Sequence, residues 1–260
     1  MDIGKVERYI LELLEEKKKL LFTVIDPLDY KDVDSAVKTA YNAYRGGADA
    51  ILIGGSIGVH GEVLDNTAEQ IKEKIDDTPL IIFPGNISTL TRHADAVYFM
   101  SLLNARNPYW IIQAQTLAAH TIRSLKLEPL PVGYIVVAPG GTVGWVGDAN
   151  LVPREKPKLA SILALAGQYL GNHFIITDTG SNPALQGQGH VPLEMIRAVK
   201  STIDIPYIVA GGIRSYDEAK NVFKAGADIV QVGTAFEKAE DTYKAAKLFA
   251  RAAREAAEER

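Results

Sequence analysis

Hydrophobic residues in this chain form short continuous runs, separated by longer segments in which they recur every three or four positions. The short runs are rich in β-branched residues and mostly end in glycine, serine or aspartate. Continuous apolar runs are expected of parallel strands covered on both faces, and the wider spacing is that of amphipathic helices. The pattern therefore predicts strands and helices that alternate along the chain.

Eight such runs can be counted, and each is followed by a segment with room for a helix. The predicted strands are Leu21–Asp26, Ala50–Gly55, Leu80–Gly85, Ala96–Ser101, Gly133–Val137, His173–Asp178, Tyr207–Gly211 and Ile229–Gly233. The predicted helices, after an amphipathic helix within Met1–Lys19, are Val33–Arg45, Thr67–Lys74, Pro108–Leu125, Leu159–Leu170, Leu193–Ile203, Asp217–Ala225 and Asp241–Glu258. The third crossover, Ser88–His93, is too short for more than a turn or two of helix.

The repeated strand and helix units show no break in composition. With 260 residues and 47% hydrophobic content, the chain has the length of one eight-stranded α/β barrel. We therefore predict the α/β class, a single TIM (β/α)8 barrel domain over residues 1–260, with a closed parallel sheet and an extra N-terminal helix. An open doubly wound sheet is the alternative.

Charge and cysteine content exclude several classes of function. A net charge of -4 gives no basic footprint for nucleic acid, and the five histidines show no paired spacing for zinc. Because cysteine is absent, there is neither a disulfide framework nor a thiolate metal site. The sequence shows no signal peptide and no apolar run of membrane-spanning length. We expect a cytoplasmic protein without a nucleic-acid partner.

Two successive strands near the end of the chain each lead into a glycine loop and then a helix. Gly211 and Gly212 follow the seventh strand, and Gly233 and Thr234 follow the eighth. Because glycine has no Cβ, amide groups in such loops can approach an anion, and a helix start adds a favourable dipole. Phosphate commonly sits on these two loops in eight-stranded barrels. The sequence therefore predicts a phosphate site here.

The sixth strand ends in Asp178, followed by Gly180 and Ser181. These two residues can donate to the same phosphate as the later loops. An acid held against apolar neighbours can have a raised pKa, which suits a general base. The alternative is a turn aspartate that accepts from the Gly180 N–H group. We favour the catalytic role, because a third glycine loop makes the site convergent.

Hard oxygen donors follow the first two strands. Asp26 ends the first strand, and Ser56 follows the glycine pair that ends the second. Mg²⁺ binds to one or two protein oxygens together with waters and substrate phosphates. Asp26 and Ser56 are therefore candidate metal ligands. Alternatively, Asp26 caps the following loop and the glycine pair only makes a tight turn.

Apolar and aromatic residues form a band around the fourth strand and the start of its helix, and they include Tyr98, Tyr109 and Trp110. Most such side chains are core residues, although a groove for a long hydrocarbon needs a wall of this kind. The Pro139–Pro157 connection is long and contains Trp145 among glycines. We expect this tryptophan to serve as a lid or a subunit contact.

Motifs along most of the chain resemble those of the geranylgeranylglyceryl phosphate synthase family, the PcrB-like prenyltransferases. They are FTVIDP at 22–27, GGS at 54–56, FPGN at 83–86, FMSLLN at 99–104, NPYWII at 107–112, PGGTVGWVGD at 139–148, TGS at 179–181, AGGIRS at 210–215 and VGTAFE at 232–237. The likeness runs from about residue 20 to residue 238. The 139–148 loop is its most specific part and is similar to the archaeal and bacteroidetes branch.

The resemblance implies a barrel that joins sn-glycerol 1-phosphate to a polyprenyl (geranylgeranyl) diphosphate and releases diphosphate. It implies that Asp26 and Ser56 hold Mg²⁺ and that Tyr109 and Trp110 limit the depth of the prenyl groove. It also implies a homo-oligomer, dimer or hexamer, with Trp145 at a subunit contact, and we expect a peripheral membrane encounter for product release. The residues that it implies for the glycerol phosphate are Ser181, Gly211, Gly212, Gly233 and Thr234.

Three substitutions and one longer loop depart from the family pattern around one pocket. The family usually shows Tyr-Leu-Glu-Ala-Gly-Ser after the sixth strand, whereas Ile176 and Asp178 occupy the tyrosine and glutamate positions here. Ala138 replaces a usual glutamate, and the Asn182–His190 loop is longer and more polar. Two alternatives therefore stand beside the prenyltransferase. One is a diverged or redesigned barrel enzyme that uses Asp178 as a base in other chemistry, and the other is a phosphate-binding scaffold without activity.

Overall fold

Eight parallel strands close into a barrel in the computed structural model, which describes residues 3–259. The strands follow one another around the barrel in chain order, and β1 pairs with both β2 and β8. They are β1 Leu20–Ile25, β2 Ala50–Ile53, β3 Leu80–Ile82, β4 Ala96–Leu102, β5 Glu128–Val136, β6 Phe174–Asp178, β7 Tyr207–Ala210 and β8 Ile229–Val232. The closed sheet confirms the predicted barrel and excludes the open sheet.

Helices surround this sheet. Within residues 3–259 they are α1 Lys5–Lys17, α2 Val33–Gly46, α3 Gly61–Lys72, α4 Ala114–Ser124, α5 Gly141–Val146, α6 Pro157–Tyr169, α7 Leu193–Lys200, α8 Tyr216–Ala225, α9 Thr234–Glu237 and α10 Thr242–Glu258. Short 3-10 helices cover Pro27–Asp29 and Pro183–Gln186, and a π-helical turn covers Tyr109–Gln113. No helix in this part of the chain is both long and apolar enough to cross a bilayer.

Each predicted strand overlaps an observed one, but several boundaries differ. Strand β5 begins at Glu128, well before the predicted Gly133, although Pro129 and Pro131 lack the N–H group that usually marks a strand. Helix α3 begins at Gly61 rather than Thr67, because Leu64 shares its buried face with the later apolar residues. Met1 and Asp2, at the start of the predicted N-terminal helix, lie outside the described residues.

The core has two layers, which alternate along each strand. In β1, Leu20 and Phe22 point into the barrel, whereas Leu21 and Ile25 pack outward against helices. This alternation is expected for a barrel whose interior is filled by side chains. The barrel is therefore a packed body, and chemistry is confined to its open end.

Helix α1 closes the amino-terminal end of the barrel, which we call the base. Val6 and Ile10 are buried in the interior layer of the core. The Glu128 carboxylate accepts from the backbone N–H groups of Val6 (2.7 Å) and Glu7 (2.8 Å), two of the amides that a helix start leaves without partners. The extra N-terminal helix is thus a plug, and it leaves only the carboxyl ends of the strands open.

The layer of helices is interrupted between β3 and β4. Residues 83–95 contain no helix in the structure, in line with the short crossover seen in the sequence. The helix predicted over Pro108–Leu125 is divided into the π-helical turn and α4. Here the Gln115 Nε2 group donates to the carbonyl oxygens of Met100 and Trp110. The sheet stays closed here, and the interruption leaves a gap in the layer of helices beside α4.

Candidate active site

A cavity opens at the carboxyl ends of the strands, which we call the mouth, and continues along β4. The sequence-predicted site residues that line it are Asp26, Ser56, Tyr98, Trp110, Asp178, Gly180, Ser181, Gly211, Gly212, Gly233 and Thr234. Tyr109 is not part of this wall, and its ring instead meets Trp110 edge-on with the centroids 5.0 Å apart. The structure thus brings the predicted phosphate, metal and groove residues to one cavity.

The loop after β7 requires glycine at two consecutive positions. Gly211 and Gly212 have φ angles of 79° and 71°, which other residues rarely adopt. A Cβ on Gly211 would lie 2.4 Å from Asp178 Oδ1, and one on Gly212 would lie 2.7 Å from the backbone nitrogen of His190. The glycines therefore let the β7 loop pack directly against the loop and carboxylate that follow β6.

Asp178 lies between the phosphate loops and the barrel interior and is only 7% exposed. Its Oδ1 accepts from the Gly180 N–H group at 2.6 Å, and its Oδ2 accepts from the Tyr134 hydroxyl at 2.6 Å. Burial raises the pKa of Asp178, whereas these two hydrogen bonds lower it. The residue is therefore both the turn acceptor and the buried acid that the sequence left as alternatives.

Tyr134 is a site residue that sequence reasoning missed, because it was counted only as part of a strand. It lies on β5 directly opposite Ile176 in the strand register. Burial and the neighbouring Asp178 charge raise its pKa well above the ordinary tyrosine value, so the hydroxyl stays protonated and donates. A tyrosine hydroxyl thus reaches the β6 carboxylate even though Ile176 cannot supply one.

The opposite side of the mouth is acidic. Asp26 caps the short helix Pro27–Asp29 by accepting from the Leu28 N–H group at 3.0 Å, and burial raises its pKa to about 6. Glu237 of α9 was not identified from the sequence, although it ends the VGTAFE motif. Burial, with the charges of Asp29 and Asp26, raises the pKa of Glu237 to about 7.

Charge on the cavity wall has one sign. The acidic residues that line it are Asp26, Asp29, Asp178 and Glu237. Of residues 3–259, no lysine, arginine or histidine belongs to the wall. Two phosphorylated groups would meet a negative surface there, so backbone amides or a cation must compensate their charge.

The oxygen donors around Asp26 fit Mg²⁺. No group of three or more His, Asp or Glu side chains within residues 3–259 is placed to enclose a metal on its own. Asp26, Asp29 and Ser56 line one side of the cavity and offer carboxylate and hydroxyl oxygens. Mg²⁺ is usually held by one or two carboxylates and completed by waters and substrate phosphates. The donor set therefore suits an ion that arrives with a phosphorylated substrate.

Aromatic rings separate the acidic mouth from an apolar groove. The Phe83 ring lies 5.6 Å from the Tyr98 ring and 6.0 Å from the Tyr134 ring, measured between centroids. The Tyr98 hydroxyl donates to Gln231 Oε1 at 3.3 Å, which fixes the ring inside the barrel. This cluster faces both the carboxylate of Asp178 and the path toward β4.

The groove runs from the mouth outward past the end of β3, where the layer of helices is interrupted between β3 and β4. Its outer wall comes from residues of the outward-packing core layer, and it ends beside α4. The outer wall residues are Leu90, Val97, Phe99, Ala118 and Ile122. Ala114, Ala118 and Ile122 recur every four positions and therefore share one face of α4. An extended hydrocarbon chain fits this shape and lining.

Trp145 does not cover the cavity. It lies on α5 and is 83% exposed, whereas Val143 and Val146 of the same helix line the cavity. The lid interpretation of this residue is therefore not supported by its position.

Comparison with known proteins identifies what the chain is similar to. The model of the PcrB family matches residues 12–250. A geranylgeranylglyceryl phosphate synthase from Pyrococcus horikoshii is 52% identical over 245 residues, which cover 94% of each chain. One from Methanothermobacter thermautotrophicus is 48% identical over 237 residues, which cover 91% of this chain and 94% of the other.

Comparison of the three-dimensional structures points to the same family. The crystal structure of (S)-3-O-geranylgeranylglyceryl phosphate synthase from Thermoplasma acidophilum, in complex with its substrate sn-glycerol-1-phosphate, superposes with a TM-score of 0.88. That protein is 35% identical in sequence, and the match covers 98% of this chain and 100% of the other. With the family model, the curated relatives and the barrel in agreement, this chain belongs to the PcrB family.

Proposed function

We propose that this chain is a prenyltransferase that joins a polyprenyl diphosphate, geranylgeranyl diphosphate in particular, to sn-glycerol 1-phosphate. The observation that carries the proposal is the position of Asp178. On one side of this buried carboxylate lie three glycine loops with amides for a phosphate, and on the other lies an apolar groove. The relatives named above, one of them in complex with sn-glycerol-1-phosphate, support this substrate pair.

The reaction balances with one proton acceptor. The 3-hydroxyl oxygen of glycerol phosphate forms a bond to C1 of the prenyl chain, while the bond from C1 to the diphosphate oxygen breaks. The hydroxyl proton passes to Asp178, and diphosphate leaves. Tyr134 donates to the second oxygen of Asp178 at 2.6 Å and so fixes the direction of the accepting carboxylate. Aspartate at this position is shorter than the family's usual glutamate, and the hydroxyl of Tyr134 holds it in place.

Positive charge develops on the allylic carbon as the diphosphate departs. Phe83, Tyr98 and Tyr134 surround the route between the mouth and the groove, with ring centroids 5.6 Å and 6.0 Å apart in the two pairs. The negative faces of aromatic rings attract a cation. These rings also exclude water, which would otherwise compete with the glycerol hydroxyl.

The groove supplies affinity for the prenyl chain. Each buried CH₂ group contributes about 0.8 kcal/mol, so several isoprene units outweigh the cost of ordering the chain. Trp110 lies on the groove wall and Tyr109 packs against it, which supports a role for this pair in limiting chain length.

We propose that Asp26 and Ser56, with Asp29 beside them, hold Mg²⁺ together with the prenyl diphosphate. Bound there, Mg²⁺ supplies a positive charge that stabilises the departing diphosphate. Burial, with the charge of Asp29, raises the pKa of Asp26 to about 6, and no lysine, arginine or histidine of residues 3–259 lines the wall to offset its charge. In contrast, amides from Ser181, Gly211, Gly212, Gly233 and Thr234 bind the glycerol phosphate, whereas the predicted Gly180 amide is already donated to Asp178 Oδ1.

We further propose that the protein works in the cytoplasm as a homo-oligomer, dimer or hexamer, and meets a membrane peripherally to release its product. Trp145, 83% exposed on α5, supports a subunit contact at that helix. Exposed apolar residues of the α4 region, Ile112 and Leu117, support a second one.

The test is a transfer assay on purified protein with geranylgeranyl diphosphate and sn-glycerol 1-phosphate. We expect a prenyl ether product in the presence of Mg²⁺ and its loss on chelation or in Asp26→Asn. Asp148→Asn is the matched control, because Asp148 is 52% exposed and is not part of the cavity wall. Absence of product from C15, C20 and C25 donors would refute the prenyltransferase. Mg²⁺-independent turnover would refute the metal assignment alone.

A further inference from the structure

We propose that Arg154 and Arg214 are positioning residues that hold the Asn182–His190 loop, the acceptor loop, closed on the glycine pair after β7. In doing so they set the affinity for the phosphorylated acceptor. This inference rests on the proposed function, because it assigns the acceptor to the Gly211–Gly212 amides. Neither arginine lines the cavity, so each acts through the loop and not on the substrate.

Arg154 holds the end of the acceptor loop. Its Nη1 donates to the carbonyl oxygens of Ala138 (3.3 Å) and Gly189 (3.2 Å), and its Nη2 donates to that of His190 (2.7 Å). These three acceptors belong to two connections, one after β5 and one after β6. A planar guanidinium fork presents five N–H donors from three nitrogens and can reach carbonyls that lie apart, whereas a lysine presents three donors from a single nitrogen.

Arg214 holds the start of the same loop. Its Nη2 donates to the side-chain oxygen of Asn182. Asn182 lines the cavity, and its backbone is left-handed with a φ of 52°. The backbone N–H of Arg214 donates to Glu218 Oε2 at 2.6 Å, and Glu218 also forms the capping box with Ser215 that begins α8. Arg214 is therefore anchored to the helix that follows the phosphate loop, and it links that loop to Asn182.

Between these two anchors, the backbone hydrogen bonds of the loop join residues of the loop to one another. Residues 184–188 are exposed, and Leu185 is 83% exposed. The backbone bonds of this stretch run from Leu185 to Asn182, from Gly187 to Ala184 and from Gln188 to Pro183, all within the loop. The position of the loop over the mouth is therefore determined at its two ends.

The acceptor loop packs against Gly212, one of the proposed phosphate-binding residues. A Cβ on Gly212 would lie 2.7 Å from His190 N and 2.7 Å from Pro183 Cγ, so the loop covers this side of Gly212. If the loop moves away, Gly212 loses the wall that packs against its left-handed backbone. Amides that must be ordered on binding give a weaker anion site than preorganised ones.

The experiment compares Arg154→Gln, Arg214→Gln and Arg154→Lys with the matched control Arg106→Gln. Arg106 is 63% exposed and pairs with Asp148 on other loops of the same face. Losing a charge-assisted hydrogen bond to the loop is expected to raise the KM for glycerol 1-phosphate about tenfold in each glutamine variant. The KM for the prenyl diphosphate and the Tm should change little, and lysine at 154 should recover only part of the loss.

An unchanged KM for glycerol 1-phosphate in both glutamine variants would overturn the proposal. Equal increases in both KM values, together with a large fall in Tm, would overturn it as well. If the wild-type protein transfers no prenyl group, the proposed function fails, and calorimetric titration with glycerol 1-phosphate still decides on the arginines. Weaker binding of glycerol 1-phosphate to Arg154→Gln than to Arg106→Gln would support the proposed role of the arginines, and equal binding would refute that role.

Discussion

The two ends of the barrel differ in whether their carboxylates are paired with cationic side chains. At the base, three aspartates directly precede strands, and each accepts from a backbone N–H group of a neighbouring strand and from a lysine. The sets are Asp49 with Leu21 and Lys17, Asp95 with Leu80 and Lys72, and Asp228 with Tyr207 and Lys200. Glu7 of α1 adds a contact of 2.8 Å to His173. At the mouth, the acidic residues line a wall that has no basic residue within 3–259.

This difference separates stability from function. A buried carboxylate at the base is compensated within the protein, which offsets much of the cost of removing it from water. Burial still raises the pKa of Asp49 even beside Lys17, so pairing reduces the cost without removing it. The mouth leaves the same cost uncompensated, as the raised pKa values of Asp26 and Glu237 show. Sites with such unrelieved charge are typical of binding and catalysis.

The largest effect is expected at the mouth from Asp178→Asn. Removing the proton acceptor should lower kcat/KM about a thousandfold, while the Tm stays level or rises because a buried charge is lost. In the wild type, kcat/KM should rise with pH through a pKa above the ordinary aspartate value, because only the ionised carboxylate accepts a proton. This limb of the profile should vanish in the variant. Retention of most activity by Asp178→Asn would contradict its assignment.

The reverse outcome is expected at the base from Asp228→Asn. The Lys19 side chain is fully buried 3.7 Å from Asp228, and Lys200 lies 2.5 Å from it. Breaking this arrangement should lower the free energy of unfolding by about 3 kcal/mol, measured by denaturant titration. The kcat/KM should stay within about twofold, since a stability change far from the site leaves the folded fraction high. Loss of activity at unchanged stability would break the distinction between the two ends.

The variant Ala118→Phe tests the contribution of the groove to activity separately from that of the carboxylates. The larger side chain would fill the groove beside Ile122, and each CH₂ group excluded costs about 0.8 kcal/mol of binding. We expect at least a tenfold loss of kcat/KM for the C20 donor, with less effect on C10, measured by product analysis. Ala119→Phe is the matched control, because Ala119 is exposed on the same helix and is not part of the cavity wall. Equal effects of the two variants would argue against the groove.

The smallest effect concerns charges on the outside of the barrel, between α8 and α10. Hydrogen bonds from Lys220, Tyr216 and Arg251 lower the pKa of Glu255 to about 2. A lowered pKa stabilises the fold above the unfolded value of 4.5, and this contribution is lost as the pH falls toward 2. Glu255→Gln should therefore lower the Tm slightly at pH 7 and progressively less below pH 4.5. A difference in Tm that grows in acid would contradict this sign.

The strands and the mouth could be predicted from the sequence because both follow local rules. Apolar runs predict strands, and residues that end successive parallel strands must meet at one edge, which placed Asp26, Asp178 and Gly211 together. The family resemblance added the substrates. The metal itself stays a prediction.

The missed features depend on contacts between distant segments. Tyr134 reaches Asp178 because two neighbouring strands share a register, and residue types alone do not reveal that register. Each base aspartate is the second residue of an Ala-Asp pair, at 48–49, 94–95 and 227–228. The role of this repeat becomes clear only when the pairing of the strands is known. Arg154 bonds to carbonyl oxygens, which every residue possesses, so nothing in the sequence distinguishes its partners.

The central claim is that the mouth binds one phosphate through amides and needs a divalent cation for the diphosphate. Calorimetric titration of the wild-type protein with each substrate, in Mg²⁺ and in EDTA, tests it most directly. The account predicts that sn-glycerol 1-phosphate binds with similar affinity in both buffers, whereas geranylgeranyl diphosphate binds at least about tenfold more tightly with Mg²⁺. Equal affinity of the prenyl diphosphate in Mg²⁺ and in EDTA would contradict it.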